Sequence, residues 1–487
     1  PERRRSGTCV PSSMEGMRNA PSRGYLLLLG LVFGAIFLTV LGSLASFVLT
    51  ENRLQNVSTE RARAFSLAEA GLEYYRWFLA HYPSDLTNGT GQPGPYVLSY
   101  NDPEGGVAGE VTLDVVGNTS CGQTTSVDLS STGQPTGSNT SRTISVRYTR
   151  PTVAQYSYVL NDSVWAGADR VINGPYHSNG GIRMDGTANA PVTSSLSTWL
   201  CTSSFGCSPS ATKNGVWGAG PNQTLWSYPA PQVDFAGISA DFGSLKTIAQ
   251  TNGIYLPRYS TGNSNGAAYW KGYHLIFNAN GTITVNRVTS TTQLNVTPVN
   301  SADGSTDRAL MQNETFYATY TLPANCKFMF IEDHVWIEGT VTDKVTIVAA
   351  NVVDAGIAPN GYLRGNTVYQ AGDGSDGLTF IAEHDILITP DSPATMTLNG
   401  IFIAQGGAFG RNYYSGCSSL YEPKTQLTIR GTTVSNKRTG TKWNGGCGNF
   451  AGYGTRIDAY DRQLATDPPA FTPAVSNDYQ FVDWREE

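Results

Sequence analysis

Between Pro21 and Pro83 the chain has no proline, and its apolar and polar positions fall into two helical patterns that join without a break. Residues 25–49 (YLLLLGLVFGAIFLTVLGSLASFVL) carry no charge. At about 1.5 Å per residue that run reaches roughly 37 Å, longer than the ~30 Å hydrocarbon core of a bilayer, and predicts a transmembrane helix. From Glu51 the pattern turns amphipathic: Phe65, Ala68, Leu72, Tyr75, Leu79 and Tyr82 step by 3 or 4 along one face, opposite a charged or polar one. Together the halves predict a single helix, anchored over 25–49 and docked over 50–82. Pro83 ends it, because proline has no amide donor and clashes with the preceding turn.

Beyond the helix the periodicity changes to that of strands. Residues 96–100, 107–116, 126–130 and 142–148 predict a small antiparallel sheet within 83–150, the last strand setting Ile144, Val146 and Tyr148 on one face. Pro151 marks a boundary. Over 151–463 short apolar strands recur: Phe330-Ile331-Glu332-Asp333-His334, Ile347-Val348-Ala349-Ala350-Asn351, Phe380-Ile381-Ala382-Glu383-His384 and Phe402-Ile403-Ala404-Gln405-Gly406 begin 17, 33 and 22 residues apart. Such spacing, with glycine at the strand ends, predicts stacked rungs of a β-helix or solenoid; a β-sandwich accommodates the same strands. One helix is expected inside this region, over about 234–252, capped by Asp234 and presenting Phe235, Ile238, Phe242, Leu245 and Ile248. Residues 187–232 read as a surface excursion and 464–487 as a C-terminal tail. The fold class is therefore mainly β with one long N-terminal α-helix, a small antiparallel sheet and then a β-helix-like domain.

Charge orients the helix. Arg3, Arg4, Arg5, Arg18 and Arg23 precede the apolar run with only Glu2 and Glu15 against them, which predicts a cytoplasmic N-terminus and an outer location for everything after residue 50. A secretory signal has an apolar region of only about 7–15 residues. The chain opens with Pro1, and Met14 and Met17 are candidate starts; from Met17 the leader reads MRNAPSRG and ends in Gly24, directly before Tyr25.

A short basic leader, a glycine, an aromatic residue and an uncharged helix that turns amphipathic resemble the class III signal of type IV pilins. The stretch ERARAFSLAEAGLEYYRW (60–77) looks like that of PilX-type and general-secretion K-type minor pilins, and STG (131–133) with RTISVRY (142–148) resembles the short sheet of PilX-type proteins. The tail DPPAFTPAVSNDYQFVDWREE and the segments GPYHSNGGIRMDG and IFIAQGGAFGR look like those of pilus-assembly proteins with solenoid ectodomains. The resemblance implies cleavage of leader 1–24 by a prepilin peptidase between Gly24 and Tyr25. It also implies packing beside other pilin subunits through Leu29, Phe65, Leu72, Tyr75 and Leu79, with passage from the cytoplasmic membrane to the cell surface. One departure stands out: major pilins carry a glutamate at the fifth mature residue, where this chain has Leu29; some minor pilins that resemble this one also lack it and sit at the filament tip.

Composition narrows the chemistry. Only 14% of residues are charged and 53 are glycine, in keeping with a turn-rich β protein. A net charge of −6 without a Lys/Arg run outside the leader offers no electropositive face for nucleic acid. Of the cysteines, Cys201 and Cys207 enclose a short loop and Cys417 and Cys447 a Gly- and Asn-rich one; both pairs are disulfide candidates, free thiols being the alternative. Cys121 and Cys326 are further possible partners. His334 and His384 occupy the same place in the repeat, each after an acidic residue, so with Asp333 and Glu383 they are the candidates for a metal, a polar rung corner being the plainer reading. Glu332, Glu338 and Asp385 complete the carboxylates near strands that a glycan-cleaving solenoid would use. No HExxH motif or phosphate loop is present, so no cofactor is expected and the chain reads as a pilus protein rather than an enzyme. The competing function is a membrane-anchored β-helical adhesin or glycan-active protein outside any filament, with a surface or glycan as partner.

Overall fold

The computed structural model describes residues 23–487 except 84, 238, 239, 264, 265, 355, 419, 446, 448, 449 and 477. Leader residues 1–22, with Cys9, lie outside the described residues, as does Ile238. The fold is mainly β, with one long N-terminal helix, a small antiparallel sheet and a larger β-rich domain.

Helix α1 runs unbroken over Arg23–His81, 59 residues, a length of roughly 88 Å at 1.5 Å per residue. Its second half lays Leu67, Ala68, Leu72, Tyr75, Phe78 and Leu79 on the small sheet. Tyr82, expected on that face, is 55% exposed because the chain has already left the helix there. The sheet is β1 (Tyr96–Asn101), β2 (Val107–Ser120), β3 (Gln123–Pro135) and β4 (Arg142–Thr149) in meander order. A fifth strand, Gln480–Glu486, pairs antiparallel with β4. The expected tail is thus part of this sheet, and the C-terminal end of the chain returns to the neck where the sheet joins the solenoid.

The larger domain is a parallel solenoid. On its first face, strands at 254–256, 328–331, 344–349, 377–382, 401–404, 433–435, 158–160, 176–178, 192–194 and 226–227 stack in that order. The spatial order is not the chain order. Ser435, in one of the last rungs, pairs with Leu160 in the first, and Arg456–Ala459 pair with Arg170–Asn173 on another face. The early rungs therefore continue the stack that the late rungs build. After 226–227 the chain returns to the far end by running down the first face: Ala230 N–H bonds the rung at Ser194, Val233 meets Asn179, and Ala240 N–H bonds Gln405.

The helix that follows, α2, is Phe242–Thr251, shorter than expected, and its cap is Asp241, whose carboxylate accepts from Gly243 and Ser244 N–H. Asp234 instead closes a local turn by accepting from Ala236 N–H. Either aspartate precedes an apolar run, but Ala240, just before Asp241, is bonded to Gln405 of the solenoid wall rather than within a helix.

Side chains of the first face are buried on both sides. Ile347, Phe380 and Phe402 point into the solenoid, whereas Ile381 and Ile403 point outward, under a layer that includes Leu245 and Phe471. With both faces covered, the strand at Phe328–Ile331 is apolar throughout and shows no alternation. That hides its register: Phe330 pairs with Val348, one residue away from the alignment expected with Ile347, while Phe380 and Phe402 pair as expected.

Candidate functional site

Every large apolar side chain from Tyr25 to Leu49 is exposed, Tyr25 at 71% and Leu29 at 43%. Two of the hydroxyls there are satisfied within the helix, Thr39 and Ser43 donating to the Ile36 and Val40 carbonyls at 2.8 Å. A segment of this kind suits hydrocarbon, where water cannot satisfy backbone or hydroxyl groups. Among the described residues it lies on the one helix long and apolar enough to cross a membrane, by length and composition.

The second half of α1 meets the sheet at unusually short range, and two sequence motifs explain how. A Cβ on Gly133 would stand 2.2 Å from the Ala64 carbonyl oxygen, and one on Gly71 would stand 2.4 Å from Ser131 Oγ. Ser131 donates to the Ala68 carbonyl at 2.8 Å, Tyr100 to Ala70 at 2.8 Å and Tyr148 to Leu72 at 2.6 Å. AEAGLE and STG are thus the two sides of one contact. Of the positions assigned to filament packing, Leu72, Tyr75 and Leu79 are buried and Phe65 is half-buried against this sheet and Trp484. Within the chain these four side chains are thus covered by the sheet, whereas Leu29 is exposed.

Three disulfides join Cys201 to Cys207, Cys417 to Cys447 and Cys121 to Cys326. The third ties the β2–β3 hairpin tip to the solenoid end, where Cys121 N–H also bonds the Asn325 carbonyl at 2.8 Å.

The solenoid's carboxylates mostly hold backbone and neighbouring cations. Glu332 is buried between Lys246 Nζ, at 2.7 Å, and the Tyr255 hydroxyl. Asp333 accepts from Tyr259, Ser260 and His334 N–H, and burial still pushes its carboxyl up to about 6. Glu383 accepts from Asn351 N–H, and burial raises it as well. Glu338 lies between His274 and Arg364, and the bond from His274 lowers it.

His334 and His384 do not converge with Asp333 and Glu383 on one point. The off-by-one register puts His334 inside, stacked on Trp270 with centroids 5.1 Å apart, its Nδ1 accepting from Asn360 N–H. Complete burial pushes its imidazole down to about 3. His384 turns instead to Asp385 and Asp303, with Nδ1 3.4 Å from Asp385 Oδ2 and Nε2 3.7 Å from Asp303 Oδ1. Donor atoms of these three residues lie within 4.8 Å of one another. Asp303 is raised to about 8, by burial first and by Asp385 beside it second.

Asp303 was not among the expected site residues, because it sits in the 298–305 loop between two long strands and nothing local marks it. Missed too was an asparagine ladder, Asn436, Asn161 and Asn179, linked side chain to side chain at 2.8 Å. The shared signal is an asparagine just after each first-face strand, in VSN, VLN and HSN. His177 belongs to this corner, its ring nitrogens bonded to Thr193 Oγ1 at 2.8 Å and Asn179 Oδ1 at 3.0 Å.

No protein-family model and no curated protein matches the chain. Among solved structures, the competence-associated pilin ComZ from Thermus thermophilus is similar over 88% of this chain and 98% of its own, with 13% identity and a TM-score of 0.33. So loose a superposition carries no argument about what the chain does.

Proposed function

We propose that this chain is a pilin-like subunit of a type IV pilus or a related secretion system, held in the cytoplasmic membrane by residues 25–49 and displaying its solenoid outside. One observation carries the reading: a single 59-residue helix whose first half is apolar and exposed all round and whose second half is locked to a small sheet. A plain membrane anchor needs no rigid continuation into the outer domain; a filament subunit does, because its helix must keep one direction from bilayer to bundle. The leader with Gly24 before Tyr25, and the AEAGLE and STG contact, support the same reading.

The finer reading is a low-copy subunit at the filament tip, not an enzyme. Leu29 cannot supply the carboxylate that would pair with a neighbour's terminal amine, and an unpaired buried charge costs several kcal/mol within a shaft. A solenoid of this size also has no room at steps of roughly 10 Å between packed helices. The test is mechanical shearing of cells followed by mass spectrometry and immunogold labelling. The expected result is a mature chain beginning at Tyr25 in the sheared fraction, with label at filament ends. A chain retaining Arg23 and found only in membranes refutes the pilin reading, and label along whole shafts refutes the tip alone.

A further inference from the structure

Asp303 and Asp385 bring two carboxylates together at a solenoid corner, and the only other titratable group whose donor atoms reach them among the described residues is His384. Asp385 is fully buried. Its Oδ1 accepts from Ala408 N–H at 2.6 Å and Asn300 Nδ2 at 3.2 Å, but its Oδ2, buried as well, has no hydrogen-bond partner. A buried carboxylate oxygen without a donor is costly, and among the described residues it faces a second carboxylate with no Lys or Arg paired to either. The imidazole is also oriented. Its Nδ1 lies 3.1 Å from Asn360 Oδ1, which can only accept and also takes the Asp385 N–H, so the proton sits on Nδ1 and the Nε2 lone pair points toward Asp303. A lone pair facing an ionised carboxylate is repulsive, and either a proton on Asp303 or a cation between the two groups relieves it.

We propose that Asp303, His384 and Asp385 bind one divalent transition-metal cation, of the Zn²⁺ or Mn²⁺ class, which pins the 298–305 loop to the solenoid body. One imidazole and two carboxylates form a mixed nitrogen and oxygen set that suits these ions better than Ca²⁺, which prefers oxygen throughout. Metal bonds of roughly 2.0–2.2 Å put tetrahedral donor atoms about 3.4 Å apart; His384 Nε2 already lies 3.7 Å from Asp303 Oδ1, and donor atoms of all three residues lie within 4.8 Å of one another. Asn360, orienting the imidazole from behind, is the outer partner that metal-binding histidines generally have. Two of the three ligands come from one strand end and the third from a loop 81 residues earlier in the chain (384 − 303 = 81), so the ion would act as a clip rather than as a catalytic centre.

The test uses the full chain in detergent, without a polyhistidine tag, stripped with EDTA and titrated with ZnCl₂ and MnCl₂ by calorimetry. Limited proteolysis at residues 298–305 is followed in parallel. The expected result is one ion per chain, affinity reduced at least about tenfold in His384→Gln and Asp303→Asn, unchanged affinity in His81→Gln, and faster loop cleavage after stripping. Because His384 is 32% exposed, His384→Gln is expected to keep the fold, which circular dichroism checks. Failure of the wild type to bind either ion, or equal binding by wild type and both variants, overturns the proposal and leaves the two carboxyls sharing a proton. None of these outcomes depends on whether the chain enters a filament.

Discussion

His334 and Asp333 are adjacent in the chain, and burial shifts them in opposite senses. The imidazole is pushed down to about 3 and the carboxyl up to about 6. A depressed histidine contributes stability above its unfolded value near 6.5 and loses it as pH falls, whereas a raised aspartate contributes stability below about 3.9 and loses it as pH rises to about 6. Between about pH 4 and 6 the two slopes oppose, each up to about 1.4 kcal/mol per pH unit. Relative to wild type, Asp333→Asn is expected to gain stability faster as pH rises through this window, and His334→Phe to lose it. Urea midpoints read by tryptophan fluorescence at several pH values check this; three parallel curves would refute it. A second residue-scale expectation concerns Arg170, whose Nε meets Asp458 Oδ2 at 2.5 Å with both side chains at least 95% buried. Asp458→Ala leaves that guanidinium buried and unpaired, at a cost of about 3–5 kcal/mol in thermal or denaturant unfolding. The Arg170–Asp458 pair was not legible in the sequence, since the two lie 288 residues apart and no local pattern joins them.

At the level of elements, α1 was legible because both its patterns depend on near neighbours in the chain, and strands β1 to β4 for the same reason. The closing strand at Gln480–Glu486 was not, because its partner is set by long-range pairing and its alternation is weak, with only Phe481 and Val482 half-buried. The start of α2 and the register of Phe328–Ile331 also escaped, being decided by a bond to Gln405 and by burial on both sides. Two expectations belong here. Gly133→Val forces α1 off the sheet, since its first side-chain carbon already meets helix backbone, and overpacking of this kind costs about 1–3 kcal/mol; faster exchange of the amides over 64–79 is the readout. Removing residues 480–487 uncovers the β4 edge and should give a chain that self-associates through it, seen as concentration-dependent sedimentation.

For the whole molecule, the rung order is the main departure from what repeats in the sequence convey. Spacing identifies rungs, but which rung lies on which is settled by surfaces far apart in the chain, here by Arg170 with Asp458, Arg456 with Asp169, and the Asn436–Asn161–Asn179 ladder. A chain ending at residue 440 keeps all early rungs but lacks the strand at Phe450–Ala459 on which Arg170–Asn173 stack. Its 158–227 region is therefore expected to be cut by protease much faster than in the full chain, although no residue in it has changed.

The neck has a mechanical consequence. The solenoid is joined to the small sheet by the exit from β4, by the return into Gln480–Glu486, and by the bridge between Cys121 and Cys326. The two outermost of these strands lie antiparallel and adjacent, so a pull on the solenoid against a fixed helix loads them side by side in shear, with many hydrogen bonds resisting at once. A single tether would be peeled open one bond at a time. Tension between a bound surface and the cell would thus pass from solenoid to helix without unravelling the joint, and reducing the disulfide should lower the rupture force before it alters anything else.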